Sequence, residues 1–131
     1  MASPGLAHVL VADDDPAFRE LLSAWLEADG VRVTTARDGE EACELAEAGA
    51  LDAVLLDLLL PRRDGYAVLL HLRARPATRD VPVLLVSGEP PAEHATIGPA
   101  LGADGFLAKP FTRVELRAAL GAAMARPGGP R

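Results

Sequence analysis

Apolar residues in this chain fall into two alternating kinds of run. Short runs that are mostly apolar, or that alternate strictly, predict strands. They are His8-Val9-Leu10-Val11-Ala12, Val31-Arg32-Val33-Thr34-Thr35, Ala53-Val54-Leu55-Leu56, Val83-Leu84-Leu85-Val86 and Phe106-Leu107-Ala108. Between them, apolar residues recur every three or four positions, the helical period. Phe18, Leu21, Leu22, Trp25 and Leu26 mark a first helix, opened by Asp15 as N-cap and Pro16 in the first turn. Asp38 and Glu41 form a capping-box-like pair ahead of Ala42, Leu45 and Ala46, and Gly49 is a natural stop. Asp64-Gly65 opens a third helix carrying Val68, Leu69 and Leu72. Thr112 and Glu115 cap a last helix carrying Leu116, Ala119, Leu120 and Ala123.

The fourth helix is the weak one. The segment Glu89-Pro90-Pro91-Ala92-Glu93-His94-Ala95-Thr96-Ile97-Gly98-Pro99 opens with two prolines and holds a third. A proline in a helix interior costs about 3 kcal/mol or more, because it lacks an N–H and clashes with the turn before it. Gly98 adds roughly 1 kcal/mol relative to alanine. The segment predicts a short, kinked or irregular helix.

Helix thus follows strand five times. The strictly alternating strand suits a sheet edge with one solvated side, whereas the nearly pure apolar runs suit strands covered on both faces. The pattern predicts an α/β fold, a parallel sheet with helices on both faces. Right-handed crossovers restrict the topology to a doubly wound sheet.

Polar groups interrupt the apolar runs at one recurrent place, their C-terminal ends. Asp13-Asp14-Asp15 follow the first run, Asp57 the third, Ser87 the fourth and Lys109 the fifth. A carboxylate ending an apolar run is costly unless it faces water, a cation or a bonding partner. If the runs are neighbouring parallel strands, these groups meet at one sheet edge, where open α/β sheets bind ligands. Asp13, Asp14 and Asp57 would then crowd three like charges, which raises one pKa or recruits a cation. Oxygen donors without His or Cys suit Mg²⁺.

Composition narrows the classes. With 131 residues, half of them hydrophobic, the chain is the size of one domain with a sizeable core. A net charge of −6 and the lack of a basic helix argue against a nucleic-acid surface. One cysteine, Cys43, cannot form an internal disulfide, which points to a reducing compartment. The N-terminus lacks a signal peptide, and no run approaches the ~20 apolar residues needed to span a membrane. The expectation is a cytoplasmic protein with no membrane partner.

Other residues read more plainly. Asp15 is a helix cap. Cys43 is a small helical residue. Phe18 and Trp25 are core residues at helical spacing. His8, His71 and His94 lack metal-like spacing and suit surface or edge positions. Leu58-Leu59-Leu60 is apolar for a loop, either packed under the third helix or forming a docking rim.

The ordered set of Asp13-Asp14, Asp57 with Pro61 and Asp64-Gly65, Ser87-Gly88, Gly102-Ala103-Asp104-Gly105-Phe106 and Lys109-Pro110-Phe111 resembles the response-regulator receiver domain. The likeness covers residues 7 to 125, with 1–6 as an N-terminal extension and 126–131 as a flexible tail. It implies a five-stranded parallel sheet in flavodoxin-like order 2-1-3-4-5. It implies that Asp57 takes a phosphoryl group from a histidine kinase or phosphotransfer protein. It implies Mg²⁺ bound directly by Asp14, Asp57 and the Leu59 backbone carbonyl, with Asp13 acting through water. Lys109 and the Ser87 hydroxyl would contact the phosphoryl group, and Gly88 would leave it room. Ser87 and Phe106 would form the conformational switch that signals to a downstream protein or output domain.

The chain departs from the family pattern at four points. Leu60 stands in place of a frequent methionine, Ser87 in place of a frequent threonine. Phe106 can swing inward but cannot make the outward hydrogen bond of a tyrosine. The proline-broken fourth helix puts dimerisation through that face in doubt. The sequence ends about five residues past the last helix, so the expectation is a stand-alone regulator or a receiver cut from a longer protein. The leading expectation is a signalling phosphoacceptor rather than an enzyme. One alternative is a Mg²⁺-dependent aspartyl-phosphate phosphohydrolase, which would usually carry a second aspartate where Leu59 stands. The other is a pseudo-receiver binding module, whose expected sign is a missing acid pair, acceptor or lysine.

Overall fold

The computed structural model describes residues 7–88 and 97–125. Five parallel strands, β1 (His8–Ala12), β2 (Arg32–Ala36), β3 (Ala53–Asp57), β4 (Val83–Ser87) and β5 (Gly105–Ala108), form one sheet in the order β2-β1-β3-β4-β5. The connecting helices are α1 (Pro16–Ala28), α2 (Gly39–Ala48), α3 (Gly65–Ala74), α4 (Ile97–Ala100) and α5 (Arg113–Met124). The doubly wound α/β sheet expected from the alternating pattern is therefore the observed fold.

Strand period two divides the core. Val9, Val11, Ala53, Leu55 and Leu84 pack with Leu22, Leu26, Leu116 and Leu120 on the α1 and α5 side. Leu10, Ala12, Val54, Leu56, Val83 and Leu85 pack with Val68, Leu69 and Leu72 on the α2 and α3 side. The alternating strand is the edge strand, as expected, although it begins at Arg32 rather than Val31.

The caps follow the predicted residues with one displacement. Asp15, Asp38, Asp64 and Thr112 each accept a backbone N–H of the helix they open. The box at α5 is complete. At α2, Glu41 reaches back to the N–H of Arg37 at 2.9 Å, one residue before the cap, so the predicted box is half formed. α4 is described only as the turn Ile97–Ala100, and it holds Gly98 and Pro99. Gly98 is buried there, and a Cβ on it would lie 3.0 Å from Leu85 Cδ1. Close packing on β4 accounts for the glycine that propensity disfavours. Residues 89–96, including His94, lie outside the described residues, as do the expected extension 1–6 and tail 126–131.

The loop after Asp57 is clamped from two sides. Gly65 donates to Leu58 O at 2.9 Å, and a Cβ there would meet Leu58 Cα at 2.6 Å. Gly39 donates to Pro61 O at 3.2 Å, and a Cβ there would come within 1.9 Å of Arg63 O. Leu58 and Leu60 are buried beneath this loop, whereas Leu59 is 59% exposed. The expected packing thus holds for two of the three leucines.

Gly39→Ala should destabilise the protein by about 1–3 kcal/mol or more, since backbone must move to admit the methyl group. Gly121 in α5 has no neighbour within 4 Å of such a methyl, so Gly121→Ala should stabilise by roughly 0.5–1 kcal/mol. Urea midpoints at constant slope check both. Equal effects of one sign would show that the loop clamp is not tight.

Candidate functional site

Register brings the predicted groups to one edge. Ala12 pairs with Leu56, Asp57 with Val86 and Ser87 with Ala108. Asp13, Asp57 and Lys109 continue the parity of Val11, Leu55 and Leu107, the residues that face α1 and α5. Ser87 continues the parity of Val83 and Leu85 and so belongs to the other face.

Asp13 and Asp57 are buried, at 2% and 6% exposure, and Asp14 is exposed. One carboxylate oxygen from each lies within 4.8 Å of the others. Lys109 Nζ donates to Asp13 Oδ2 at 2.8 Å and to Asp57 Oδ2 at 3.1 Å. The second oxygens bond to backbone. Asp13 Oδ1 accepts from the N–H of Asp15 at 2.9 Å, and Asp57 Oδ1 from the N–H of Leu59 at 3.0 Å. Ser87 is wholly buried, and its backbone carbonyl accepts from the N–H of Lys109 at 2.8 Å. Phe106 is partly buried and packs on the Ser87 side of the sheet. Among the described residues, a methyl on Gly88 would meet nothing within 4 Å.

Three hard oxygen donors in a space this small fit a divalent cation of the Mg²⁺ kind. Without a bound ion, burial raises the Asp57 pKa from its usual 3.8; the Leu59 N–H works against that, the Asp13 charge with it. Burial also works against the Lys109 charge, but the hydrogen bonds to Asp13 and Asp57 outweigh it and raise the ammonium above 10.5.

A sequence model of the response regulator receiver domain matches residues 9–121. The chain belongs to the response regulator receiver domain family. This receiver is 39% identical over 119 residues to the response regulator MprA of Mycolicibacterium vanbaalenii, covering 91% of this chain and 51% of that protein. It is 42% identical to the transcriptional activator protein PfeR of Pseudomonas aeruginosa, covering 91% of this chain and 38% of that one. The chain therefore spans about half, or less, of the curated relatives it matches. Among solved structures it is similar to the receiver domain of the sensor histidine kinase PA1611 of Pseudomonas aeruginosa, at TM-score 0.83 and 32% identity over 91% of this chain and 98% of that one. That structure has a magnesium ion coordinated in its active-site cleft. The chemotaxis response regulator CheY4 of Vibrio cholerae matches at TM-score 0.85 and 31% identity, over 90% of this chain and 98% of that one.

The receiver's site also contains residues that pattern reading did not single out for it. Phe18 lies under the Lys109 ammonium, 4.4 Å from ring centroid to nitrogen. Arg19 Nη1 donates to the Asp13 carbonyl at 2.7 Å. Lys109 reaches Asp13 as well as Asp57, a second partner that spacing does not indicate. A signal was present: of thirteen Lys and Arg residues, Lys109 is the one lysine, the other twelve being arginines. Elsewhere, His71 is half-buried between Arg63 and Glu47 in the α2–α3 seam, a tighter place than the surface or edge expected for it.

The raised Asp57 pKa has a stability consequence in metal-free buffer. The folded receiver holds the Asp57 proton above pH 3.8, where the unfolded chain loses it, so stability falls as pH rises through that window and stays lower above it. Asp57→Asn removes this loss. The variant should melt above the parent at neutral pH with chelator present, and the gap should close as pH falls towards 3.8. A variant that melts below the parent at neutral pH would mean that the Lys109 pairing outweighs the burial of Asp57.

Proposed function

We propose that this receiver accepts a phosphoryl group on Asp57 from a phosphohistidine of a partner kinase or phosphotransfer protein, and changes conformation to signal to a downstream partner. One observation carries the reading: a buried carboxylate at a strand end, within 3.1 Å of an ammonium and beside two further acids. An Asp57 oxygen supplies the electron pair for the new O–P bond while the P–N bond to the imidazole breaks. Lys109 neutralises charge on the transferring oxygens, which is most of what phosphoryl transfer asks of a protein. The Ser87 hydroxyl donates to one of those oxygens, and Gly88 leaves room for the group. Phe106 then fills the room that Ser87 vacates.

Asp14, Asp57 and the Leu59 carbonyl would hold Mg²⁺ directly, and Asp13 through water. When bound, the ion supplies charge neutralisation at the phosphoryl oxygens. The phosphohydrolase alternative lacks support, because the position for its second acid is Leu59, an exposed apolar side chain. The pseudo-receiver alternative lacks it too, since acid pair, acceptor and lysine are all present.

Incubation with Mg²⁺ and acetyl phosphate should add one phosphoryl group by intact mass, and the adduct should be acid-stable and base-labile. Asp57→Asn should show none while keeping its fold by circular dichroism. Full phosphorylation of that variant would remove Asp57 as the acceptor.

Mg²⁺ alone should raise the melting temperature. At tenfold excess over Kd the gain is about 1.4 kcal/mol. Asp14→Ala should lose this response, and an unchanged shift in that variant would place the ion elsewhere.

A further inference from the structure

An ammonium has three N–H bonds, and two of those of Lys109 are directed at Asp13 and Asp57. On a further side lies the Phe18 ring at 4.4 Å, well inside the ~6 Å range of a cation–π contact. The ring is itself held. Phe111 meets it edge-on, with centroids 5.6 Å apart and planes at 75°, and Trp25 tilts against Phe111 at 6.4 Å. Asp13 sets the position of both ring and ammonium. Its Oδ2 takes Lys109, its Oδ1 takes the N–H of the α1 cap Asp15, and its carbonyl takes Arg19, one residue past Phe18.

We propose that Phe18 is a positioning residue for phosphoryl transfer at Asp57, its ring face holding the Lys109 ammonium over the carboxylates. This role rests on the phosphoacceptor reading above. A lysine on a four-carbon stem has many rotamers, and the Lys109 side chain is 24% exposed, so water competes for it. The ring takes up one side of the charge without offering an oxygen that would draw the ammonium away from its acceptors. A carboxylate in that place would add a fourth negative charge, and an aliphatic side chain would exclude water without favouring the cation. The recess that Phe18 lines together with Asp13, Asp57, Val11, Leu22 and Leu55 has no room for a water molecule, so the ring is packed closely against the acids' side of the site. When the acceptor oxygens change from carboxylate to phosphoryl, the floor under the ammonium stays where it is.

Two readouts separate this role from simple core packing. Because Lys109 is the one lysine, labelled lysine gives a single side-chain Cε–Hε peak. The ring current should move that peak upfield in the parent. Phe18→Leu should return it towards the free-lysine position, and Phe18→Tyr should keep it upfield. The second readout is the rate of phosphoryl uptake from acetyl phosphate at saturating Mg²⁺. Phe18→Leu should slow it about two- to fivefold. Singly, doubly and triply fluorinated phenylalanine at position 18 keep the ring and its packing while withdrawing charge from its face, so they should slow it stepwise. In a Lys109→Ala background, Phe18→Leu should have no further effect, because the ring acts through the ammonium.

Indifference of the rate to fluorination, an unmoved lysine peak in Phe18→Leu, or an equal slowing with and without Lys109 would each reduce Phe18 to packing while leaving the acceptor reading in place. A parent that takes up no phosphoryl group would overturn the acceptor reading and this role together.

Discussion

The Lys109 ammonium lies within hydrogen-bond reach of both Asp13 and Asp57, so one positive charge serves two buried negative ones. Asp14 adds a third at the rim. The sum does not balance, and the imbalance organises the site. Burial holds the Asp57 pKa up even with an ammonium at 3.1 Å, and the Asp13 charge adds to it. Removing it would leave two buried carboxylates unpaired, and losing one partner of a buried pair costs about 3–5 kcal/mol. A hard dication is the complement such a deficit asks for, and three carboxylate oxygens stand ready for it. A dication bound there would therefore stabilise the fold.

Asp13, Asp57 and Lys109 come from three strand ends, so the arrangement depends on register. A slip of one residue would send a whole strand's side chains to the opposite face. The buried runs of β1, β3 and β4 resist such a slip, because each face has its own hydrophobic layer to satisfy. Parity also divides the labour. Asp13, Asp57 and Lys109 belong to the α1 and α5 side, Ser87 and Phe106 to the α2 and α3 side. Under the proposed function, a charge added on one face is met by a hydroxyl and a ring that belong to the other, across a single strand end. The link is a single backbone hydrogen bond: the Ser87 carbonyl accepts from the Lys109 N–H at 2.8 Å.

Fold and acid cluster were legible in the sequence because they obey local rules. Period two and period 3.6 gave ten elements, and the caps Asp15, Asp38, Asp64 and Thr112 lie where cap chemistry places them. Asp57, Lys109 and Ser87 stood out because a polar group ending an apolar run needs a partner. The misses share a different cause. Glu41 bonding to Arg37 rather than Asp38 depends on how the chain enters α2, which spacing does not encode. Gly98 looked like a helix breaker because its compensation, contact with Leu85, comes from another element. Phe18 looked like core at helical spacing, and it does pack on the core. That its face also meets Lys109, more than ninety positions away, follows only from tertiary placement.

The choice of lysine at one position and arginine at twelve others carries its own physical argument. Arg73 shows what arginine does in this fold. Its side chain, 10% exposed, spreads donors over the carbonyls of Gly102, Arg79 and Val81 and the carboxylate of Asp104. That planar fork with five fixed donors suits an array of acceptors that never changes. At the sheet edge the acceptors must change if a phosphoryl group is to arrive on Asp57. A compact ammonium with three rotatable donors can exchange one oxygen for another by turning about its own axis, whereas a guanidinium would have to realign a plane. The point charge also fits above a ring and between two carboxylates. Under the proposed function the one lysine stands where a partner is replaced, whereas Arg73 stands among acceptors that stay fixed.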